Sequence, residues 1–287
     1  MKGGPTGAAR AAAPSPPARR RERFTGLAIL GAMPRALLPL LLLLALPSCV
    51  GPRPSRLAGA EGAQVVVKSV RIPDTMPWYT RLAEHMWVDV RPDPEGPWWR
   101  LEVQGSTSGV DVVPITEDEA KDDLRWGNHA FVLARLEGRR AAAASEQLLE
   151  VARAHPDFGR WVRDGEVEGT GTLRRQAPTR EEYQAWSGPN SNTFVADLVA
   201  AVPELRVELH HNAVGKDYAR GLRAGATPGG LGLAVDTDYL GLGAGLREGV
   251  ELHLVGLTLG ATLWPPALKL PFVPRLGVHQ GWVNGGL

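Results

Sequence analysis

The chain of 287 residues contains a single cysteine, Cys49. One thiol excludes an intrachain disulfide framework and any zinc site built on paired thiolates. Net charge is nearly absent too: 32 Lys and Arg against 31 Asp and Glu leave +1, so no global electrostatic case for a nucleic-acid partner exists. No phosphate-cradling glycine loop, metal-binding helix or carboxylate dyad in a supporting context is present, and no cofactor is expected. Nor does any unbroken apolar run reach the roughly 20 residues that a spanning helix needs. What the chain has in quantity is glycine, 34 residues, and proline, 24, which promise many turns and short elements. At 44% hydrophobic it also has ample material for a core.

The near-neutral charge is a sum over two unlike parts. Residues 1–48 hold seven basic residues and one acidic, leaving 25 basic against 30 acidic residues in the body. Residues 1–23 are mostly Ala, Pro, Gly and Arg, bury almost nothing, and are expected to be disordered or to precede a true start at Met33. From Met33, a basic residue (Arg35), the apolar run Leu37 to Leu46 and the pair Pro47-Ser48 read as a short signal peptide. Leu46-Pro47-Ser48-Cys49 resembles the bacterial lipobox, although Pro47 is a less usual member. That resemblance implies a diacylated Cys49 as the mature first residue, and a body lipid-anchored on the extracytoplasmic side of a bacterial cell envelope. The alternative for residues 24–48 is a plain transmembrane anchor, which Pro34 and Pro39 interrupt. Both readings give the membrane as a partner.

Along the body, residues 49–63 read as a tether, 64–224 as the main domain and 225–287 as a Gly-rich β-meander extension. Gln64 to Val70 is β-branched and predicts a strand. Met86 to Val90 alternates at strand spacing, the segment from Arg91 to Pro97 is a turn, and Trp98 to Gln104 returns as the second arm of a hairpin. Thr116 with Glu119 three residues later predicts a capping box over residues 116–125. Helices are expected over Glu137 to His155 and Asn192 to Val202, and a short strand over Glu182 to Trp186. In the extension, strands are expected over Leu231 to Val235, Val250 to Leu259 and Ala267 to Phe272. The second of these, read as one strand, puts Glu251, His253, Val255, Leu257 and Leu259 on one face and Val250, Leu252, Leu254, Gly256 and Thr258 on the other. Such a meander either packs on the main domain or sits against a membrane, and soluble packing is the expected outcome.

The sharpest local signal is Gly188-Pro189-Asn190-Ser191-Asn192-Thr193-Phe194-Val195. A turn there delivers Ser191 to the first turn of a helix, where unpaired N–H groups and the positive dipole end stabilise an anion. Ser191 and Thr193 are equally good capping residues. The motif resembles the nucleophile segment of permuted papain-like families, including the lecithin retinol acyltransferase group, whose histidine precedes the nucleophile on an early strand. By that resemblance Ser191 matches the nucleophile position, held there by cysteine, and His85, in Glu84-His85-Met86-Trp87, matches the base. A helix dipole can hold a thiolate but cannot alone ionise a hydroxyl, so Ser191 needs a true general base. The body also resembles a bacterial envelope family of unknown function that carries the same Gly-Pro-Asn-Ser-Asn-Thr-Phe, with Trp126-Gly127-Asn128, Gly215-Lys216-Asp217-Tyr218 and Gly249-Val250-Glu251-Leu252. That resemblance implies that serine is native at this position.

If the hairpin centres between Pro94 and Glu95, His85 lies opposite Gln104, the first candidate to orient the imidazole, with Glu102 the fallback. The amides of Asn192 and Thr193 are candidate oxyanion donors. Asn190, Asn192, Thr193, Trp87, Lys216, Asp217 and Tyr218 are candidate cleft residues, the last three serving equally well as a polar loop. His210-His211 is a weak metal candidate, since adjacent strand residues point to opposite faces. The sequence thus predicts an α+β, permuted papain-like domain, an antiparallel sheet packed on helices, with a β-rich extension. Two functions follow. One is a Ser/His hydrolase or acyltransferase acting on amide or ester bonds of an envelope substrate; the other is a non-catalytic binding or scaffolding lipoprotein with a degenerate cleft.

Overall fold

A computed structural model describes residues 62–78, 80–104, 109–156, 160–164, 172–176 and 183–277. The leader, most of the tether, Cys49 and Glu182 lie outside the described residues. The first four strands, β1 (Gln64–Arg71), β2 (Glu84–Arg91), β3 (Trp98–Val103) and β4 (Val110–Ile115), follow one another antiparallel. A five-residue helix, α1 (Glu117–Lys121), then opens on the expected box, in which the Thr116 hydroxyl accepts from the Glu119 amide and the Glu119 carboxylate accepts from the Thr116 amide. The helix ends at Lys121, well short of residue 125. A small hairpin, β5 (Leu124–Arg125) and β6 (Asn128–His129), precedes β7 (Phe131–Glu137), which pairs with β1 on its free side. Helix α2 (Gly138–Arg153) follows at once. Strand β8 (Arg160–Asp164) then extends the sheet in parallel with β4, and β9 (Thr172–Gln176) closes the order β7-β1-β2-β3-β4-β8-β9.

One face of this sheet carries the main core. Val65 and Val67 of β1, Met86 and Val88 of β2 and Leu101 of β3 alternate inward at strand period and are fully buried. Ala141, Ala144, Leu148 and Ala152 of α2 cover them as a stripe recurring at three and four. Helix α3 (Ser191–Ala201) adds Phe194, Val195, Leu198 and Val199. Phe194 has no exposed surface, so truncating it to alanine would cost about 3–5 kcal/mol. The opposite face mixes buried apolar residues, Val66, Val70, Trp87 and Trp98, with an ion cluster: Asp89 receives Lys68 at 3.1 Å, Arg100 at 2.8 Å and the Trp87 indole N–H at 3.1 Å. Burial lowers the Lys68 pKa against the pull of Asp89.

The carboxyl-terminal part is a second sheet, β10 (Arg223–Ala226), β11 (Gly232–Asp236), β12 (Leu240–Gly245), β13 (Gly249–Leu254), β14 (Leu257–Leu263), β15 (Pro266–Lys269) and β16 (Leu276–Gly277). Every strand pairs antiparallel with the next. The chain is therefore β-rich, with mostly antiparallel sheets and three α-helices among the described residues, rather than evenly mixed α+β.

Three expected elements change. The run Val250 to Leu259 is not one strand: Val255, at φ 52°, and Gly256, at φ 78°, form a tight turn that folds it into the β13–β14 hairpin, which moves Leu259 to the face of Leu252 and Thr258 to that of His253. Residues 183–186 form no strand, because the Gln184 amide bonds its own turn at the Pro189 carbonyl instead of a neighbouring strand. The last expected strand stops at Lys269.

Candidate functional site

The site begins with the start of α3. Asn190 caps this helix: its Oδ1 accepts from the amides of Asn192 at 2.9 Å and Thr193 at 3.2 Å, while its own amide donates to the Thr193 hydroxyl. Asn190 Nδ2 donates to the carbonyls of Ala185 and Val214, tying two loops to the helix end. Capping therefore belongs to Asn190 and Thr193, which leaves the Ser191 side chain available for other contacts. It also corrects one expectation, since the Asn192 and Thr193 amides are occupied by the cap and are not available as oxyanion donors.

Two glycines allow this packing. Gly188 has φ 110°, and a Cβ there would meet the Thr193 hydroxyl at 2.7 Å and Tyr218 at 2.9 Å. Gly215 has φ 85°, and a Cβ there would collide with the Asn190 side-chain amide. Tyr218 thus packs against the loop that carries Ser191.

Asn192 fixes the helix against β2. Its Oδ1 accepts from the Met86 amide at 3.1 Å, and its Nδ2 donates to the Glu84 carbonyl at 2.9 Å. The two bonds bracket His85. The Ser191 hydroxyl then lies 3.1 Å from His85 Nδ1, and His85 Nε2 lies 2.7 Å from Glu102 Oε1. All three residues are buried.

Strands β2 and β3 pair Val88 with Leu101 and Asp89 with Arg100, the register that places position 104 opposite 85. The orienting group is nevertheless Glu102, the diagonal neighbour on the same face of β3. Strand β3 ends at Val103, and Gln104 is exposed; its side-chain amide donates to Glu102 Oε2 at 3.0 Å, one step behind the histidine. Arg125 also donates to both Glu102 oxygens. Burial alone would raise the Glu102 pKa, but the hydrogen bond and charge of His85, with Arg125, outweigh it and hold the carboxyl at about 2. An ionised carboxylate only accepts, so His85 Nε2–H donates to Glu102, and the ring turns Nδ1 towards the Ser191 hydroxyl.

Residues 168–218 match the model of a family described as a protein of unknown function, DUF3750. The matched stretch contains Ser191, its cap and the Gly215 to Tyr218 loop, but neither His85 nor Glu102. No curated protein and no solved structure matches the chain.

Aromatic rings enclose the histidine. Trp87 stacks on it at 6.1 Å between ring centroids, and Trp126, which has φ 53° and lies in the β5–β6 turn, approaches at 5.0 Å while staying 45% exposed. Trp87 is 1% exposed and backs the imidazole instead of lining an open cleft.

Ser191 faces a cavity of 460 Å³ lined by Ile72, Met76, Pro77, Ala83, Tyr183 and Trp186, among others. Burial raises the Tyr183 pKa, opposed by a hydrogen bond with Ser191. Nothing in the periodicity marks Tyr183, because it lies in a loop. Glu84 lines the same cavity, and burial pushes its carboxyl up to about 7 against the Ser69 hydroxyl bond.

Lys216 and Asp217 belong elsewhere. They line a second cavity of 310 Å³, bounded by α3 and the inner face of the second sheet, together with Asp236, Glu248, Glu251 and His253. Asp217, Glu251 and His253 place ligand atoms within 4.8 Å of one another, as a metal site would. Lys216 Nζ, however, bonds Asp217 at 2.6 Å and Glu251 at 3.3 Å. His253 Nδ1 meets Asp236 at 2.6 Å and its Nε2 meets Glu251 at 3.2 Å. Burial would lower the His253 pKa, but Asp217 and the bonds to Asp236 and Glu251 carry it up to about 9. Lys216 and Lys269 already supply the positive charge that a metal would bring to these carboxylates, so the donor set is occupied as an ion-pair network.

His210 and His211 also differ from expectation. They lie in a turn, not a strand, and their rings stack at 4.8 Å. His210 Nδ1 accepts from the Asn212 amide, and His211 Nε2–H donates to the Val273 carbonyl.

Proposed function

We propose that the chain is a serine-nucleophile hydrolase or acyltransferase acting on amide or ester bonds, with Ser191 as nucleophile, His85 as general base and Glu102 as the group that orients the base. The observation that carries this reading is the continuous contact chain from Glu102 through His85 to Ser191 at 2.7 and 3.1 Å, ending beside a 460 Å³ cavity. Histidine on an early strand and the nucleophile at a later helix start is also the order of the permuted papain-like domains, which supports that arrangement for residues 64–224.

In the first step the Ser191 Oγ–H proton passes to His85 Nδ1 as Oγ attacks the substrate carbonyl carbon. Glu102 stabilises the resulting imidazolium. Oxyanion stabilisation is assigned to the Ser191 amide, at the first position of α3, and to the Tyr183 hydroxyl, which replace the Asn192 and Thr193 amides. The imidazolium then protonates the leaving amine or alcohol, and the acyl group stays on Oγ until water or an acceptor takes it. The sequence around Cys49 supports a lipid tether, which would place this chemistry on an envelope substrate.

A fluorophosphonate that forms a covalent bond to activated serine tests the reading. Wild type should be labelled at Ser191, and Ser191→Ala and His85→Ala should not. Absence of labelling in wild type, or labelling indifferent to both changes, would favour the binding or scaffolding lipoprotein with a degenerate cleft.

A further inference from the structure

The second sheet is inside out. On its inner face stand Asp236, Glu251, His253, Thr258 and Thr262, all buried. On its outer face the register brings Val235, Leu242, Leu252 and Leu259 into one row across β11 to β14, with Leu240 opposite Leu254 beside it. Every other outward position of these four strands is also Leu, Val or Ala. Leu242 is 58% and Val250 61% exposed. At about 4.8 Å between strands and about 3.4 Å per residue, the patch from β11 to β15 covers about 24 by 20 Å. No charged or hydrogen-bonding side chain interrupts it. Burying the polar face and exposing the aliphatic one is the reverse of what water favours.

We infer that this face lies against a lipid bilayer. The cores of protein–protein interfaces are enriched in Tyr, Trp, Met and Arg and carry hydrogen bonds. Here the centre is wholly aliphatic, which fits a partner that offers no hydrogen bonds. The two exposed aromatics sit at opposite ends of the strands, Tyr239 in the β11–β12 turn and Trp264 in the β14–β15 turn. That is how aromatic belts flank the apolar band of lipid-facing strands. The backbone groups of the central strands are bonded within the sheet, as a lipid-facing surface requires. Strands of five to seven residues fall short of the 9–11 needed to span, so the face rests in one leaflet. The proposed lipid tether agrees: residues between Cys49 and Gly62 reach at most about 45 Å, so an anchor at Cys49 would keep the body beside the membrane.

The test uses the full chain, reconstituted into vesicles of phosphatidylethanolamine and phosphatidylglycerol. Leu242, Leu259 or, as a control on the exposed side of α2, Glu146 is replaced by the photo-crosslinker benzoylphenylalanine. All three positions are exposed or turned outward, so the substitutions spare the core. Phospholipid adducts at 242 and 259 should exceed those at 146 severalfold. Equal yields at all three positions, or no lipid adduct at 242 and 259, would overturn the inference. Chain-to-chain crosslinks in place of lipid adducts would also overturn it, and would assign the face to a second copy. The result is independent of phosphonate labelling, which reads only Ser191.

Discussion

Two buried histidines, His85 and His253, each touch carboxylates, and the difference between them separates a site from a strut. At His85 one ring nitrogen meets Glu102 and the other meets a hydroxyl, Ser191, beside an open cavity. At His253 both nitrogens meet carboxylates, Asp236 and Glu251, and Lys216 and Lys269 complete the charge pairing with Glu251. Residue types are shared; the second partner decides the role. On the proposed function the lone pair directed at a hydroxyl acts as a base, whereas an imidazolium between carboxylates is a buried cation that links β11 to β13.

The comparison breaks most sharply at Ser191 and His85. Ser191→Ala removes the labelled atom and should abolish labelling outright, and His85→Ala should slow it by about 10⁴-fold or more, read by mass spectrometry of the adduct. The same substitution at His253 should leave the labelling rate within about twofold of wild type while the chain stays folded. If His253→Ala abolished labelling as His85→Ala does, the distinction between site and strut would fail.

Next in size is the orienting group. Glu102→Gln keeps the shape but removes the ionised acceptor that selects the His85 tautomer, and should slow labelling by about 10³- to 10⁴-fold. Gln104→Ala should cost no more than about tenfold, because Gln104 reaches His85 only through Glu102. The reverse order would return the orienting role to Gln104. Tyr183→Phe removes one assigned oxyanion donor and should lower the rate by about 10²-fold, leaving the thermal midpoint nearly unchanged.

The pairing of Ser191 with His85 was suggested by the resemblance of the Asn190 to Val195 segment, whereas the β2–β3 register was legible because strand alternation and the turn that sets it are local. The choice of Glu102 over Gln104 was not, since it depends on where β3 stops and on a diagonal contact rather than a directly opposed pair. Tyr183 had no signal at all. In the second sheet the alternation of Glu251 and His253 against Val250, Leu252 and Leu254 showed two unlike faces, but periodicity is silent about which one turns inward. The Val255-Gly256 turn was hidden for a different reason: a β-branched residue with positive φ contradicts the Asn-Gly or Asp-Gly pattern by which such hairpins are recognised.

The smallest effect concerns pH. The His253 pKa is raised to about 9 in the folded chain from an ordinary value of 6.5. Its contribution to stability is therefore complete below about pH 6.5 and is lost as pH rises through 9, with an upper bound of about 3 kcal/mol. Glu102, held down at about 2 from an ordinary 4.5, acts on the other limb: its contribution is present above about pH 4.5 and is lost as pH falls through 2. Urea midpoints measured from pH 6 to 10 should decline for wild type, and the difference between wild type and His253→Gln should shrink towards the alkaline end. A difference that stayed constant with pH would mean that His253 is not the titrating group, and the strut would then have to be neutral packing between β11 and β13 rather than a buried charge.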